Sequence, residues 1–374
     1  MGNSPLYQNH PIPAFIRAIA PRPTPPTAAK LRQDGLNPDA IHQLALNECP
    51  YPPAPSVHAA VAAAVAQSNR YPDFNCPELS ERIARDTGIP PERIAWGTGS
   101  EEILKLIIEI VSAGDSTIVA ARPTFVGYPM MYASANARVT HVPLRADGGL
   151  DIDAMLGAID ERTGMLIAVV PNNPSGVMPT PAELARLIAA TPDHVLLLID
   201  GAYHEFAAHA GGADPLPLLK QRKGLWLTTR TFSKAYALAG LRVGYGLCGS
   251  LEIADALRAC MGPLHIPILS QVAARAAYDD RAYTQFILNS CAQERGKLLA
   301  GLRALGLKPM DSVCNFVSAE TPLPGAEVAQ ALLKRGVLIS SWRDPGYERF
   351  IRISIGAAEA TAAVLEHLAA IFRH

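Results

Sequence analysis

Lys234 lies in Thr231-Phe232-Ser233-Lys234-Ala235-Tyr236-Ala237-Leu238-Ala239-Gly240-Leu241-Arg242, behind a hydroxyl-rich turn, among small residues and ahead of an arginine. An amine so placed suits a Schiff base with a carbonyl, leaving Ser233 and Arg242 to bind a phosphate. A core-edge lysine with a capping role is the plainer reading of the same residues. Pyridoxal 5′-phosphate is the cofactor that asks for an imine-forming amine, a hydroxyl and a fixed guanidinium together.

Further residues fit that chemistry, in order along the chain. Asp200 ends the apolar run Val195-Leu196-Leu197-Leu198-Ile199. A carboxylate at a strand end can pair with a protonated pyridine nitrogen, although a helix N-cap is a common alternative use. Tyr203 and Asn173, the latter in Pro171-Asn172-Asn173-Pro174-Ser175-Gly176, can both hydrogen-bond the ring's phenolic oxygen. Asn-Pro-x-Gly is by itself only a turn signal. Asn173, Asp200 and Lys234, each at or just after an expected strand end, form a far more specific series.

For the phosphate, Gly97-Thr98-Gly99-Ser100-Glu101 follows a strand and opens a helix, so free amides at Gly99, Ser100 and Glu101 favour an anion. Ser100 is the expected N-cap. Ser233, Arg242 and Thr231 complete the cup. Phe125, in Pro123-Thr124-Phe125, is placed to stack on the ring or to serve as a core aromatic. Arg352 alternates with Ile351 and Ile353; a guanidinium there needs a partner, either a substrate anion or a structural carboxylate.

The elements that position these residues follow from periodicity. Apolar runs at 118–121, 166–170, 195–199, 225–228 and 243–247 read as strands buried on both faces, with helices such as 181–190 between them. That pattern predicts an α/β unit with a mostly parallel sheet flanked by helices. Helices are expected at 77–87, from Ser100, at 270–277, 283–305 and 357–372, and short strands at 93–96, 316–318 and 350–354. The part after about 255 reads as a smaller α+β domain. Residues 1–45 are expected to form an N-terminal arm and part of that small domain, 46–255 the large cofactor-binding domain and 256–374 the small C-terminal domain. The proline-rich start (Pro11, Pro13, Pro21, Pro23, Pro25, Pro26) excludes a long helix and leaves a disordered leader or an extended arm open.

Composition agrees with an enzyme of two domains around a cleft: 374 residues, 49% hydrophobic and 18% charged. A net charge of −1 without like-charge blocks argues against nucleic acid or an anionic membrane as partner. Six scattered cysteines without CxxC spacing predict neither a disulfide framework nor a metal site. No signal peptide or apolar run near the ~20 residues of a membrane span is visible, so a cytoplasmic location is expected.

Over about 46–356 the chain resembles the fold-type I pyridoxal-phosphate aminotransferases, most closely the histidinol-phosphate aminotransferase branch. The Lys234 segment carries the resemblance, together with Leu46-Asn47-Glu48-Cys49-Pro50-Tyr51-Pro52-Pro53, Arg70-Tyr71-Pro72-Asp73, Cys314-Asn315-Phe316 and Arg352-Ile353-Ser354-Ile355-Gly356. It implies a fold-type I architecture and a two-step exchange through the pyridoxamine form, with 2-oxoglutarate as oxo acid and Lys234 as the proton-moving base. It also implies that Tyr51 approaches the substrate, Arg352 holds its anion and Tyr71 reaches the neighbouring subunit's cofactor phosphate in a homodimer. The pattern departs where a second arginine usually follows the Arg-Gly-Val turn. Here Arg335-Gly336-Val337-Leu338-Ile339 runs into Ser340 and Ser341, and Arg343 is the nearest replacement. The domain joint reads Pro263-Leu264-His265-Ile266-Pro267, making His265 a substrate contact or a structural histidine. An aromatic or other amino acid donor, or a threonine-phosphate decarboxylase-like lyase, are the alternatives.

Overall fold

The computed structural model describes residues 12–19 and 24–373, so the parts of the proline-rich arm at 1–11 and 20–23 lie outside the described residues. Twelve strands are found there: β1 (His42–Leu44), β2 (Ile94–Gly97), β3 (Thr117–Arg122), β4 (Arg138–Pro143), β5 (Thr163–Val169) and β6 (Leu196–Asp200), followed by β7 (Trp226–Thr231), β8 (Gly244–Cys248), β9 (Lys308–Pro309), β10 (Phe316–Glu320), β11 (Val337–Ser341) and β12 (Phe350–Ser354). They form a seven-stranded sheet ordered β2-β8-β7-β6-β5-β3-β4 and a five-stranded sheet ordered β1-β11-β12-β10-β9.

Alternation along β5 and β6 shows why the large sheet is covered twice. Leu166, Ala168, Leu197 and Ile199 face one core with Leu184, Leu187 and Ile188 of helix Pro181–Ala190. Their neighbours Met165, Ile167, Leu196 and Leu198 face the other, with Ile103, Leu104, Ile107 and Ile108 of helix Ser100–Ala113. A strand whose two faces both meet apolar helices must itself be apolar throughout, which is the composition of β6.

The sheet is parallel from β4 through β7, but β8 runs antiparallel to both β7 and β2. The mostly parallel sheet that was expected has its one reversed strand here, for a topological reason. A parallel return from β7 needs a crossover helix. The link carries instead the Lys234 loop and one short 3-10 turn, Ala239–Leu241, so the chain doubles back.

Phe316, Val337, Ile339, Ile351 and Ile353 of the small sheet pack with Leu288, Leu298 and Leu302 of helix Arg281–Ala304 and Val364 and Leu368 of helix Ala358–Phe372. This core also takes in Leu44, Tyr203, Phe206 and Ala235. The first borders the segment that crosses to the large sheet; the others belong to large-sheet loops. The edge strand β4, with mostly exposed residues, and the short β1 and β9 carry little apolar signal and were not expected.

Arg222 fastens the end of helix Pro181–Ala190 to the start of β6. Its guanidinium donates to the carbonyls of Ile188 at 3.1 Å, Pro192 at 2.7 Å and Val195 at 3.1 Å, and to that of Thr191. Arg222→Ala leaves these acceptors to find water, and should destabilise by about 2 kcal/mol. Arg222→Lys should recover little, because one ammonium cannot span a fork's acceptors. Denaturant midpoints of the three proteins check this; equal midpoints would show the clamp to be idle.

Candidate active site

The carboxyl ends of β2, β3, β5, β6 and β7 open on one side of the large sheet, where ligands of such sheets gather. Gly97-Thr98-Gly99, Phe125, Asn173, Asp200 and Lys234 all lie at those ends.

The β2 turn and the Lys234 loop build one cup. Gly99 has φ 82°, in the left-handed region, and a Cβ there would run into Arg242 Nη2. Gly244 is equally constrained, since its Cβ would meet the backbone nitrogen of Ser100. Glycine at both positions therefore permits close approach of backbone, guanidinium and ligand. Arg242 Nη1 donates to Ser233 Oγ at 3.3 Å and Nη2 to the Thr98 carbonyl at 3.5 Å. Thr231 Oγ1 donates to Ser233 Oγ at 3.0 Å. Ser100 is not the N-cap: Gly99 holds that position and Ser100 is the first helical residue, with Glu101 in the same turn. A side chain at the cap would collide with Arg242, and the Glu102 carboxylate accepts from Thr98 N at 2.7 Å instead.

Asp200 is buried, at 3% exposure, yet all its partners are neutral. Tyr128 Oη donates to Oδ2 at 3.1 Å; Thr229 Oγ1 and Ala202 N donate to Oδ1 at 3.1 and 3.2 Å. Burial holds its carboxyl above the usual range. Among the described residues no cation pairs with it. Phe125 meets the edge of Tyr128 at 6.0 Å, which sets it beside this carboxylate. Tyr128 and Thr229 are site residues that sequence reasoning missed; the pairing of Thr229 with Asp200 across β6 and β7 is the only signal that could have found either.

Lys234 Nζ donates to the Leu46 carbonyl at 3.0 Å. Burial, assisted by the Arg352 charge, brings its amine down to about 8 from 10.5. Arg352 donates to Asn173 Oδ1 at 2.7 Å and to the Ala45 carbonyl at 2.6 Å, while its Nε is buried without a partner. A guanidinium only donates, so Asn173 Oδ1 must face it and Nδ2 must face Tyr203 Oη, at 3.0 Å. Asn47 Nδ2 donates to the same phenol at 3.0 Å. Both acceptor positions of Tyr203 are then filled and its proton is left to donate. Asn47 and Ser354, whose hydroxyl accepts from Asn47 N at 2.8 Å, were also missed.

The remaining expected residues stand farther out. Tyr51 packs on Phe286 with centroids 4.9 Å apart. His265 Nε2 lies 3.2 Å from the Trp96 carbonyl and 3.9 Å from Glu102, behind the β2 turn. Arg343 is exposed, and Tyr71 is 86% exposed. No group of three metal-ligating side chains occurs among the described residues, and no described helix is long and apolar enough to cross a membrane.

Known proteins share this fold. A family model, aminotransferase class I and II, matches residues 40–372. Histidinol-phosphate aminotransferase of Methylobacillus flagellatus is 36% identical over 96% of this chain and 97% of its own. Histidinol-phosphate aminotransferase 3 of Rhizobium meliloti is 33% identical over 93% and 94%. The structure of the Sinorhizobium meliloti histidinol-phosphate aminotransferase in complex with pyridoxal-5′-phosphate superposes with a TM-score of 0.86, at 26% identity, covering 97% of this chain and 98% of that one. Aspartate aminotransferase from Thermus thermophilus shares the fold, with a TM-score of 0.79 at 24% identity, covering 96% and 99%. The chain belongs to the class I and II aminotransferases.

Proposed function

We propose that Lys234, Asp200, Asn173, Tyr203 and the cup of Gly99, Ser100, Glu101, Thr231, Ser233 and Arg242 serve pyridoxal 5′-phosphate in transamination between an amino donor and a 2-oxo acid such as 2-oxoglutarate. The observation that carries this is Asp200, a buried carboxylate with only neutral donors around it. Such a group calls for a cation, and a protonated pyridine nitrogen supplies one. The other residues present fit the group as well: a phenol proton left free at Tyr203, a low-pKa amine at Lys234 and a guanidinium at the glycine turn. Bound there, pyridoxal phosphate provides the carbonyl that receives the amino group and the ring that withdraws electrons.

The protein's own tasks follow. Asp200 keeps the ring nitrogen protonated, and Phe125 covers the ring. Lys234, with its amine brought near neutrality, takes and returns the proton at the substrate's α-carbon. Arg352 turns its fork to the substrate anion, with its unpaired Nε in reserve. Tyr51 closes the substrate side, whereas Arg343, exposed, and His265, beside Trp96 and Glu102, stand apart from it. Exposed Tyr71 and Phe74, at 86% and 64%, support a homodimer in which Tyr71 reaches the partner's phosphate cup. The free cysteines support a cytoplasmic setting. We take 46–255 as the large domain and 256–374 as the small one. The pairing of β1 with β11 supports assigning part of 1–45 to the latter.

Histidinol phosphate is the donor that the named relatives favour. One observation bears on the donor's second end: Ser340, directly paired with Arg352 across β11 and β12, is neutral, which disfavours a donor with two anionic ends and suits the imidazole of histidinol phosphate and an aromatic ring alike.

Two experiments test this. The absorbance of the purified protein should show a cofactor band that Lys234→Ala alters, and a donor should bleach it to the pyridoxamine form. Histidinol phosphate, phenylalanine, tyrosine, aspartate and glutamate rank the donors; carbon dioxide release without any oxo acid would indicate the lyase. A protein without a cofactor band overturns the reading. Secondly, uptake of pyridoxal phosphate by the apoprotein should accelerate up to about pH 8 and level off above it. The folded state binds this proton less tightly than the unfolded chain, so apoprotein stability should also rise from about pH 8 toward 10.5. A rate that is flat across pH 7 to 9, measured by stopped flow, would contradict the assignment of Lys234.

A further inference from the structure

The turn between β2 and helix Ser100–Ala113 is gripped from behind by groups that the transamination chemistry does not use. Thr98 N and Thr98 Oγ1 both donate to Glu102 Oε2, at 2.7 and 3.0 Å. The Thr98 carbonyl, on the other side of the same residue, accepts from Arg242. His265 Nε2 sits between the Trp96 carbonyl, at 3.2 Å, and the Glu102 carboxylate, at 3.9 Å. Glu102 therefore bends back from the first helical turn and satisfies the amide of Thr98, the residue before the Gly99 cap.

This costs electrostatic energy. A carboxylate beside a phosphate site repels the phosphate, so its presence has to be offset by what it organises. With Thr98 N consumed, the amides of Gly99 and Ser100 that follow it at the helix start are donors for an anion. Thr98 is fixed at its amide by Glu102 and at its carbonyl by Arg242, which leaves the peptide plane little freedom to rotate.

We propose that Glu102 is a positioning residue for the cofactor phosphate. It locks Thr98 so that the following amides and Arg242 face the same point before the phosphate arrives. His265, in the 263–267 joint, braces Glu102 and the end of β2 rather than contacting substrate. This inference rests on the pyridoxal-phosphate reading of the site.

The test compares apoprotein affinity for pyridoxal phosphate with that for pyridoxal, which lacks the phosphate, in wild type, Glu102→Gln and Glu102→Ala. Glu102→Ala should weaken pyridoxal phosphate binding about tenfold, the loss typical of a hydrogen bond to a charged group. Pyridoxal binding and the apoprotein's unfolding midpoint should stay within about twofold and a degree or so, respectively. Glu102→Gln keeps an acceptor for Thr98 and should restore most of the affinity. Equal losses for both ligands would mean a general structural role and would overturn the inference. So would unchanged pyridoxal phosphate affinity in Glu102→Ala. Failure of the wild type to bind pyridoxal phosphate at all would instead overturn the site reading, and this inference with it.

Discussion

Three consecutive residues leaving β1 carry the contacts on which the cleft depends. The carbonyls of Ala45, Leu46 and Asn47 accept from Arg352, Lys234 and Asn315 in turn, at 2.6, 3.0 and 2.9 Å. Burial first, and the charge of Arg352 second, drive Lys234 toward its neutral form, against the opposing charges of Glu48 and Glu101. Carbonyl dipoles from this segment serve both Lys234 and Arg352. Asn47 manages the crossing in the left-handed region, at φ 55°, with its amide tied to Ser354. Asparagine is among the few side chains that adopt that conformation readily.

The same segment explains why neither sheet supplies the site alone. Large-sheet strand ends present Asp200, Asn173 and Lys234, whereas the guanidinium facing them comes from β12 of the small sheet. Asn173 joins the two, accepting from Arg352 and donating to Tyr203. Tyr203, Phe206 and Ala235 extend the small core under these groups, and Tyr203 meets the edge of Phe316 at 5.2 Å. Movement of the small sheet must therefore be felt at the phenol and at the residue next to Lys234.

What could be read from sequence was whatever a local pattern encodes. β6 is legible because both of its faces are buried, and Asp200 is legible because it ends that run. Lys234 and Arg242 stand in one continuous segment. Tyr128, Thr229 and Asn47 were not legible, since each gains its meaning from a partner distant in sequence. The expected N-cap at Ser100 shows a local rule overridden: helix-start propensity favours serine, but the space beside Gly99 belongs to Arg242. The antiparallel turn of β8 was hidden for a similar reason. The residues that would have formed a crossover helix hold Lys234 instead, and an apolar strand looks the same in either direction.

If Arg352 holds the substrate anion, as proposed, a row across the small sheet sets the space beside it. Ser318, Arg352 and Ser340 are register partners on β10, β12 and β11, so their side chains share one face. Ser318 is already satisfied, donating to the Pro174 carbonyl at 2.6 Å and accepting from Trp342 Nε1 at 3.2 Å. Ser340 makes no side-chain hydrogen bond among the described residues and is partly exposed. Arg352 is thus flanked by two small neutral groups. Arg343 is exposed and follows Trp342, whose ring stacks on Phe350 at 4.9 Å. A single guanidinium with small neighbours binds one anion and leaves volume beside it. That geometry suits a donor whose second end is uncharged and bulky better than one with two anionic ends.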